Sequence, residues 1–135
     1  MEYREVRERN NFEVIELYPV GRVSKTDISF QEIEIFQEFL PALDSIENFE
    51  YLWILFWLHQ VSQSKRRVLK VHPRGDIRRP ERGVFSTHSP VRPNPIGLTR
   101  VRLLKRENNI LRVEELDALV DSPVIDIKSV HEYER

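Results

Sequence analysis

The sequence predicts a mainly β fold, a single small β-barrel with short helical turns and no Rossmann unit. Short stretches of alternating or uniformly apolar residues recur at roughly regular intervals, and helical periodicities are few. The chain has four glycines and no glycine-rich strand-to-helix turn, which argues against a Rossmann nucleotide site. Its 135 residues allow one core but not two, so residues 1–135 are treated as one domain.

Most strands are predicted from the alternation of apolar and polar side chains. Residues 12–23 and 29–36 alternate as a half-buried strand does. Residues 39–43 surround Pro41 and predict a short helical turn. Further strands are predicted at residues 67–71, 83–87, 97–104, 110–114 and 124–130.

One predicted strand is apolar at every position. Residues 52–58 read LWILFWL, and their aromatic and β-branched content favours a strand buried on both faces. Because a small barrel has only one interior, the outer face of this strand needs another cover. We therefore predict a homodimer that forms through residues 51–58, from Tyr51 to Leu58.

The amino-acid composition excludes several classes of protein and of functional site. With 40% apolar and 32% charged residues the chain is globular, and the absence of cysteine excludes disulfides, thiolate metal sites and cysteine nucleophiles. The chain opens on charged residues without a secretory signal. Its longest apolar run is far shorter than the about 20 residues that span a bilayer. We expect a cytoplasmic protein without a membrane segment.

Positive charge is concentrated in residues 65–82. This stretch holds eight Lys or Arg and two acidic residues, while the rest of the chain carries 13 basic and 20 acidic residues. A basic stripe on an otherwise acidic body suits a polyanionic partner. A solvated, arginine-rich loop explains the same pattern.

Polar side chains suited to ligand binding are concentrated in residues 83–98. Prolines at positions 90, 93 and 95 fix the backbone there, so the loop loses little entropy on ordering. Its polar side chains His88, Ser89, Arg92 and Asn94 suit a carboxylate, a ribose or a phosphate. A rigid connection between two strands is the alternative interpretation.

This segment and three others carry a family resemblance. Residues 84–98, VFSTHSPVRPNPIGL, resemble the signature of the TsaA-like family, also called the TrmO family. Residues 49–60 are similar to that family's FSHLWILFxFHQ strand, residues 117–128 to its D-x-(L/V)-x-G-T-P-V-x-D-I-K ending, and residues 18–23 to its YPIGxV opening. The four motifs occur in the family's order and cover essentially the whole chain.

The resemblance implies a fold, a cofactor and a substrate. TsaA-like proteins fold as homodimeric β-barrels that bind S-adenosylmethionine, and the best-understood members methylate N6 of threonylcarbamoyladenosine 37 in threonine tRNA. Carried over by motif, the cofactor-binding residues are His59, Gln60, His88, Leu98, Asp117, Ala118, Leu119 and Val120. The implied partner is tRNA, and its predicted contacts are Arg92, Asn94, Arg74, Arg78, Arg79 and Arg82.

The chain departs from the family pattern at several positions. His88 stands where arginine is usual, and histidine is shorter and not reliably charged at neutral pH. Asp121-Ser122 stands where Gly-Thr is usual, and Ser129-Val130 where Pro-Tyr is usual. A loop with a Pro-Arg-Gln cofactor contact, present in bacterial relatives, is absent. These differences predict a weaker, pH-dependent cofactor contact at His88.

Catalysis on an exocyclic nitrogen calls for a proton acceptor. An amide-like nitrogen is a poor nucleophile until its proton leaves. Asp126 is the candidate base, with Lys128 on the same face of a predicted strand. A structural ion pair at the barrel rim is the alternative. His72 and His131 have no partners at metal-ligand spacing, so no metal site is predicted.

Two other functions fit the same residues. A non-enzymatic RNA-binding barrel keeps the basic stretch and has no need of tight cofactor binding. A methyltransferase for another substrate, such as a small molecule, binds the cofactor without salt-dependent affinity for tRNA.

Overall fold

The computed structural model describes residues 8–134. Its strands, in chain order, are β1 (Glu8–Arg9), β2 (Phe12–Glu13), β3 (Gly21–Thr26), β4 (Gln31–Ile35), β5 (Tyr51–Trp57), β6 (Lys70–Val71), β7 (Arg82–Gly83), β8 (Ile96–Glu107), β9 (Ile110–Glu114) and β10 (Pro123–Ser129). Short 3₁₀ turns lie at Gln37–Leu43, Ile46–Asn48, Ser64–Arg67, Pro73–Gly75, Val84–Ser86 and Glu132–Glu134. Over this part of the chain, no helix is long and apolar enough to cross a membrane.

Six of the strands close into an antiparallel barrel. Their order around the barrel is β10-β3-β4-β9-β8-β5, while β1–β2 and β6–β7 form separate two-stranded pairs. The connections are hairpins or longer excursions, and the described chain contains no parallel crossover of the Rossmann type. The prediction of a mainly β, non-Rossmann barrel is confirmed.

Aliphatic side chains fill the barrel interior. In β4, Ile33 and Ile35 are buried, whereas the intervening Glu32 and Glu34 are half-buried on the outer face. The fully buried side chains of the barrel strands are Val23, Ile33, Leu52, Ile54, Val101, Leu111, Val113 and Val124. Successive residues of a strand point to opposite faces, so this core follows from the alternation in the sequence.

Within the single chain, only one face of β5 is fully buried. Its residues alternate between half-buried and buried along the strand. On the outer face, the Trp53 indole donates a hydrogen bond to Glu134 at 2.9 Å. The Arg100 guanidinium lies 4.6 Å from the centre of the Tyr51 ring. Side chains of the same chain thus cover part of this face, and a homodimer through residues 51–58 stays a prediction.

The first predicted strand is wrong over most of its length. The structure has no strand between Glu13, where β2 ends, and Gly21, where β3 begins. Strand pairing begins at Gly21, which lies opposite Ile35 of β4 and Val124 of β10. Alternation predicts two faces of different polarity, but it does not show whether a partner strand is available.

Residues 58–95, between β5 and β8, form an excursion from the barrel. The strands predicted at 67–71 and 83–87 are shorter than expected, because each region also contains a 3₁₀ turn. Only β6 and β7 remain, two residues each, and they pair with one another. In contrast, β8 extends beyond its predicted end, because it pairs with β5 and then with β9. The helical turn predicted at 39–43 is confirmed as the end of the turn Gln37–Leu43.

Candidate functional site

A pocket of about 920 Å³ opens at the end of the barrel where β5 finishes and β8 begins. Strand residues Phe56, Ile96 and Gly97 contribute to its lining. Three walls surround them: residues 58–62 with Lys65, the segment 87–95, here called the proline loop, and residues 117–119 with Ser122. This volume lies in the upper part of the range of about 300–1,000 Å³ that is typical of small-molecule and cofactor sites.

Seven of the eight residues predicted to bind the cofactor line this one pocket. They are His59, Gln60, His88, Leu98, Asp117, Ala118 and Leu119. Val120 is not among the lining residues and is 43% exposed. Two predicted tRNA contacts, Arg92 and Asn94, also line the pocket. Barrel closure therefore brings together residues from three distant parts of the sequence.

Hydrogen bonds within the proline loop hold its conformation. The Thr87 hydroxyl oxygen accepts from the Ser89 N–H at 3.1 Å, and the Ser89 hydroxyl oxygen accepts from the Val91 N–H at 3.2 Å. Arg92 Nη1 donates to the carbonyl oxygens of Thr87 and Ser89 at 3.1 and 3.0 Å. Arg92 thus supports the loop with one nitrogen, in addition to lining the pocket.

Arg66 joins the proline loop to the opposite wall of the pocket. Its Nε donates to the Pro93 carbonyl oxygen at 2.6 Å, and its Nη2 donates to Asn94 Oδ1 at 3.3 Å. The guanidinium carbon also lies 5.4 Å from the centre of the Trp57 ring at the end of β5. Sequence reasoning missed this role, because Arg66 looks like any other member of the basic stretch.

The pocket lining combines both signs of charge with apolar surface. Lys65 and Arg92 supply positive charge, His59 and His88 supply imidazole rings, and Asp117 supplies a carboxylate. Aliphatic lining side chains include Leu58, Val61, Ile96, Leu98 and Leu119. Such a lining suits a ligand that carries a carboxylate, a cationic centre and an apolar ring.

The third wall ends in a left-handed turn at Asp121. This residue has a φ of 70°, a region that favours glycine. The turn is held by Arg22 Nη1, which donates to Asp121 Oδ1 at 2.8 Å, and by the Ser122 hydroxyl, which donates to the Leu119 carbonyl oxygen at 2.6 Å. A left-handed φ suits the glycine of the family motif, and in this chain Asp121 adopts it.

Asp126 and Lys128 lie opposite Leu55 and Trp53 of β5. Lys128 Nζ is 3.5 Å from Asp126 Oδ2, so the two share a strand face as predicted and form an ion pair. Asp126 lines a separate cavity of about 270 Å³ beside Leu52, whereas Phe56 marks the large pocket. The partner of Asp126 across the ladder, Leu55, precedes Phe56, so Asp126 lies close to the pocket along the strand but outside its lining. The structure does not bring the predicted base into the pocket lining, and its role stays a prediction.

The remaining predicted tRNA contacts lie on the excursion and do not line the pocket. Arg78 donates to both carboxylate oxygens of Asp76 at 3.0 and 3.1 Å, which lowers the pKa of Asp76. Arg79 Nε lies 3.8 Å from the same carboxylate. Arg82 Nη1 donates to the Ser86 carbonyl oxygen at 3.3 Å, and Arg74 is exposed at a φ of 57°. In residues 8–134, no group of three or more His, Asp or Glu is placed to hold a metal ion.

Fold and pocket together define a small β-barrel domain with a cofactor-sized site at one end. The family described as the tRNA-methyltransferase O N-terminal domain matches residues 15–134, and the chain belongs to this family. The resemblance seen in the sequence motifs is therefore confirmed.

Curated relatives include archaeal and bacterial proteins. A probable S-adenosyl-L-methionine-binding protein of Methanocaldococcus jannaschii is 43% identical over 113 residues, covering 83% of this chain and 89% of the relative. One from Methanothermobacter thermautotrophicus is 51% identical over 112 residues, covering 83% and 75%. The tRNA (adenine(37)-N6)-methyltransferase of Escherichia coli is 40% identical over 93 residues, covering 64% and 38%.

Solved structures share the fold. A crystal structure of TrmO from P. aeruginosa superposes with a TM-score of 0.69 at 25% sequence identity and covers 93% of this chain. This chain spans 58% of that solved chain.

Proposed function

We propose that this protein is an S-adenosylmethionine-dependent methyltransferase that acts on tRNA, with N6 of threonylcarbamoyladenosine 37 as the acceptor. One observation carries the proposal: seven predicted cofactor residues, from three parts of the sequence, line a single pocket. Family membership supports the reaction class, and the names of the archaeal relatives support the cofactor.

The lining residues fit S-adenosylmethionine. Lys65 and Arg92 suit its carboxylate, Asp117 suits its ammonium group, and the aliphatic side chains suit its adenine ring. Gln60 and Asn94 offer donors and acceptors for ribose hydroxyls or adenine edges. When bound, the cofactor supplies a methyl group on a sulfonium sulfur, so that transfer breaks an S–C bond, forms an N–C bond and releases one proton.

The chain contributes orientation and a place for the proton. A loop that is already ordered by its own hydrogen bonds and by Arg66 presents His88 and Asn94 at low entropic cost. Asp126 is the base proposed from the sequence, while Asp117, His59 and His88 are acceptor groups that line the pocket. The substrate would approach over the excursion, whose arginines suit RNA phosphates.

Paired substitutions test the base. If Asp126 accepts the proton, Asp126→Asn lowers kcat by about 10²–10⁴-fold and leaves cofactor affinity unchanged. The matched variant Asp117→Asn reports on the carboxylate inside the pocket. If Asp126→Asn turns over like the wild type and Asp117→Asn loses kcat at saturating cofactor, then Asp117 in the pocket is the base and Asp126 is not.

Calorimetric titration of S-adenosylmethionine and S-adenosylhomocysteine tests the cofactor. We expect binding to one site per chain, tighter in His88→Arg and weaker in His88→Ala. Lys105→Gln, near the far end of β8, is the control and should bind like the wild type. Methyl transfer from labelled cofactor to tRNA, with the product nucleoside identified by mass spectrometry, then tests the acceptor.

A second candidate is a non-enzymatic RNA-binding barrel. The histidine at position 88, in place of the family's arginine, favours it because the cofactor contact there is weaker. This candidate predicts that tRNA binds in a salt-dependent way. It also predicts that S-adenosylmethionine gives no heat of binding even at millimolar concentration, a result that contradicts the methyltransferase proposal.

A further inference from the structure

Phe85 presents an aromatic ring to solvent two residues before Thr87, which lines the pocket. Its side chain is 80% exposed, although the backbone on both sides is tightly held. The preceding Val84 is buried, and its N–H donates to the Leu69 carbonyl oxygen at 2.9 Å. The N–H and hydroxyl of Thr87 both donate to the Val84 carbonyl oxygen, at 3.2 and 2.8 Å. The ring is therefore displayed from a fixed 3₁₀ turn.

The position of Phe85 connects the pocket with the basic stretch. Thr87 and His88, two and three residues further on, line the pocket. On the other side, Arg82 Nη1 donates to the carbonyl oxygen of Ser86, so a guanidinium borders the same turn. Among the described residues, no aromatic ring stacks on Phe85 and no cation lies over it.

Charge complementarity decides which partner suits this ring. The adjoining residues 65–82 carry eight basic and two acidic residues, which favours a polyanion over an apolar protein surface. Every nucleobase has an aromatic face, and proteins that bind unpaired nucleotides combine basic grooves with aromatic platforms. We propose that Phe85 is the platform on which an unpaired base of the bound RNA stacks at the entrance to the pocket. This inference rests on the proposed function and names one subsite of it.

Binding of a synthetic anticodon stem-loop RNA of threonine tRNA tests the platform. Stacking on an aromatic side chain is worth about 1–3 kcal/mol per base, so Phe85→Ala should weaken RNA affinity about 5- to 150-fold. Phe85→Tyr should keep the affinity, and Phe85→Leu should lose it although leucine is apolar. The affinity for S-adenosylhomocysteine should be the same in all variants, which shows that the pocket is intact. Phe12→Ala removes another exposed ring, 74% exposed, and should bind RNA like the wild type.

A spectroscopic signature separates stacking from a merely apolar contact. Phe85→Trp places an indole at the platform, and a stacked base should quench its emission on RNA addition beyond the change that Trp53 and Trp57 give in the wild type. Two results would contradict the stacking proposal but leave the proposed function intact. One is wild-type RNA affinity in Phe85→Leu, and the other is an RNA complex of Phe85→Trp in which the indole emission is not quenched. A change in sedimentation of Phe85→Ala without a change in RNA affinity assigns the ring to an interface between copies. Absence of RNA binding by the wild type contradicts the proposed function as well.

Discussion

Gly97 lies opposite Phe56 where β5 and β8 meet at the pocket. A Cβ atom at position 97 would lie 2.4 Å from the ring carbon Cζ of Phe56, and two more ring atoms would lie within 2.9 Å. Phe56 is buried among core side chains and also lines the pocket, so its ring could yield only by moving towards the pocket. Glycine is required here by close approach, and not by backbone conformation.

Gly97→Ala should therefore destabilise the fold and distort the pocket. Overpacking of this kind costs about 1–3 kcal/mol, measured by denaturant unfolding. S-adenosylhomocysteine affinity should fall in the same variant. Gly83→Ala is the matched control, because its nearest neighbour is 4.0 Å away and its φ of −60° suits alanine. Equal stability of the two variants would show that Phe56 adapts.

Asp121 has a left-handed backbone conformation that its residue type does not predict. A φ of 70° is unfavourable for most side chains, and aspartate tolerates it better than alanine does. Asp121→Ala should lose about 1–2 kcal/mol from strain and from the contact with Arg22, while Asp121→Gly should lose less. Denaturant midpoints of the two variants measure the difference, and a larger loss in the glycine variant would contradict the explanation.

At the scale of elements, Arg66 is a positioning residue for the proline loop. It bonds two residues of the loop and stands next to Lys65 in the facing wall. Arg66→Ala should loosen the loop, lower stability by about 1–2 kcal/mol and weaken S-adenosylhomocysteine binding about tenfold. Arg66→Lys should rescue little, because lysine lacks the fork that reaches both acceptors.

Arg67→Ala is the control for this prediction. Arg67 ends the same 3₁₀ turn, is exposed and does not line the pocket. The fluorescence of Trp57, whose ring lies near Arg66, gives a readout that is independent of ligand and activity. If Arg66→Ala lowers RNA affinity while the fluorescence and cofactor affinity stay unchanged, then Arg66 contacts phosphate instead of the loop.

The last 3₁₀ turn is attached to β5 through Glu134. This carboxylate accepts from the His131 N–H at 3.1 Å and from the Trp53 indole at 2.9 Å, and these bonds lower the pKa of Glu134 below its ordinary value of 4.5. A lowered pKa in the folded state stabilises the attachment above pH 4.5, and the contribution is lost as the pH falls through the folded pKa. Acid should therefore detach the turn from Trp53.

Tryptophan emission measured from pH 6 down to about pH 3 checks this prediction. The wild type should show a step below pH 4.5, the ordinary value for this carboxyl. Glu134→Gln cannot titrate and should show no step attributable to this contact. A step of the same size and midpoint in both proteins would assign it to another group.

At the scale of the molecule, the barrel was predictable and the excursion was not. Core strands such as β4 and β9 bury one face, so their alternation is visible in the sequence. Residues 14–20 alternate as well, but no partner strand meets them before Gly21. The pocket wall at residues 117–119 was accessible only through the family motif, because Asp117 acquires its neighbours from the closure of the barrel.

The charge distribution over the whole molecule predicts how RNA binding responds to salt. Asp76 partly neutralises Arg78 and Arg79, whereas Arg74 is exposed and Arg82 bonds only a neutral carbonyl oxygen among its described contacts. Each phosphate contact contributes about 0.7–0.9 to the slope of log K against log salt concentration. Arg74→Gln and Arg82→Gln should each reduce that slope by about this amount, and Arg78→Gln by less.

Lys105→Gln is the matched control, because Lys105 pairs with Glu107 at 2.7 Å near the far end of β8. Its slope should equal that of the wild type. Fluorescence anisotropy of labelled stem-loop RNA at several salt concentrations measures all four variants together. If Lys105→Gln and Arg82→Gln change the salt slope equally, RNA affinity depends on the net charge of the protein and not on contacts at particular arginines. A reduced slope only in Arg74→Gln and Arg82→Gln would place the RNA on the excursion, next to the pocket that the proline loop helps to line.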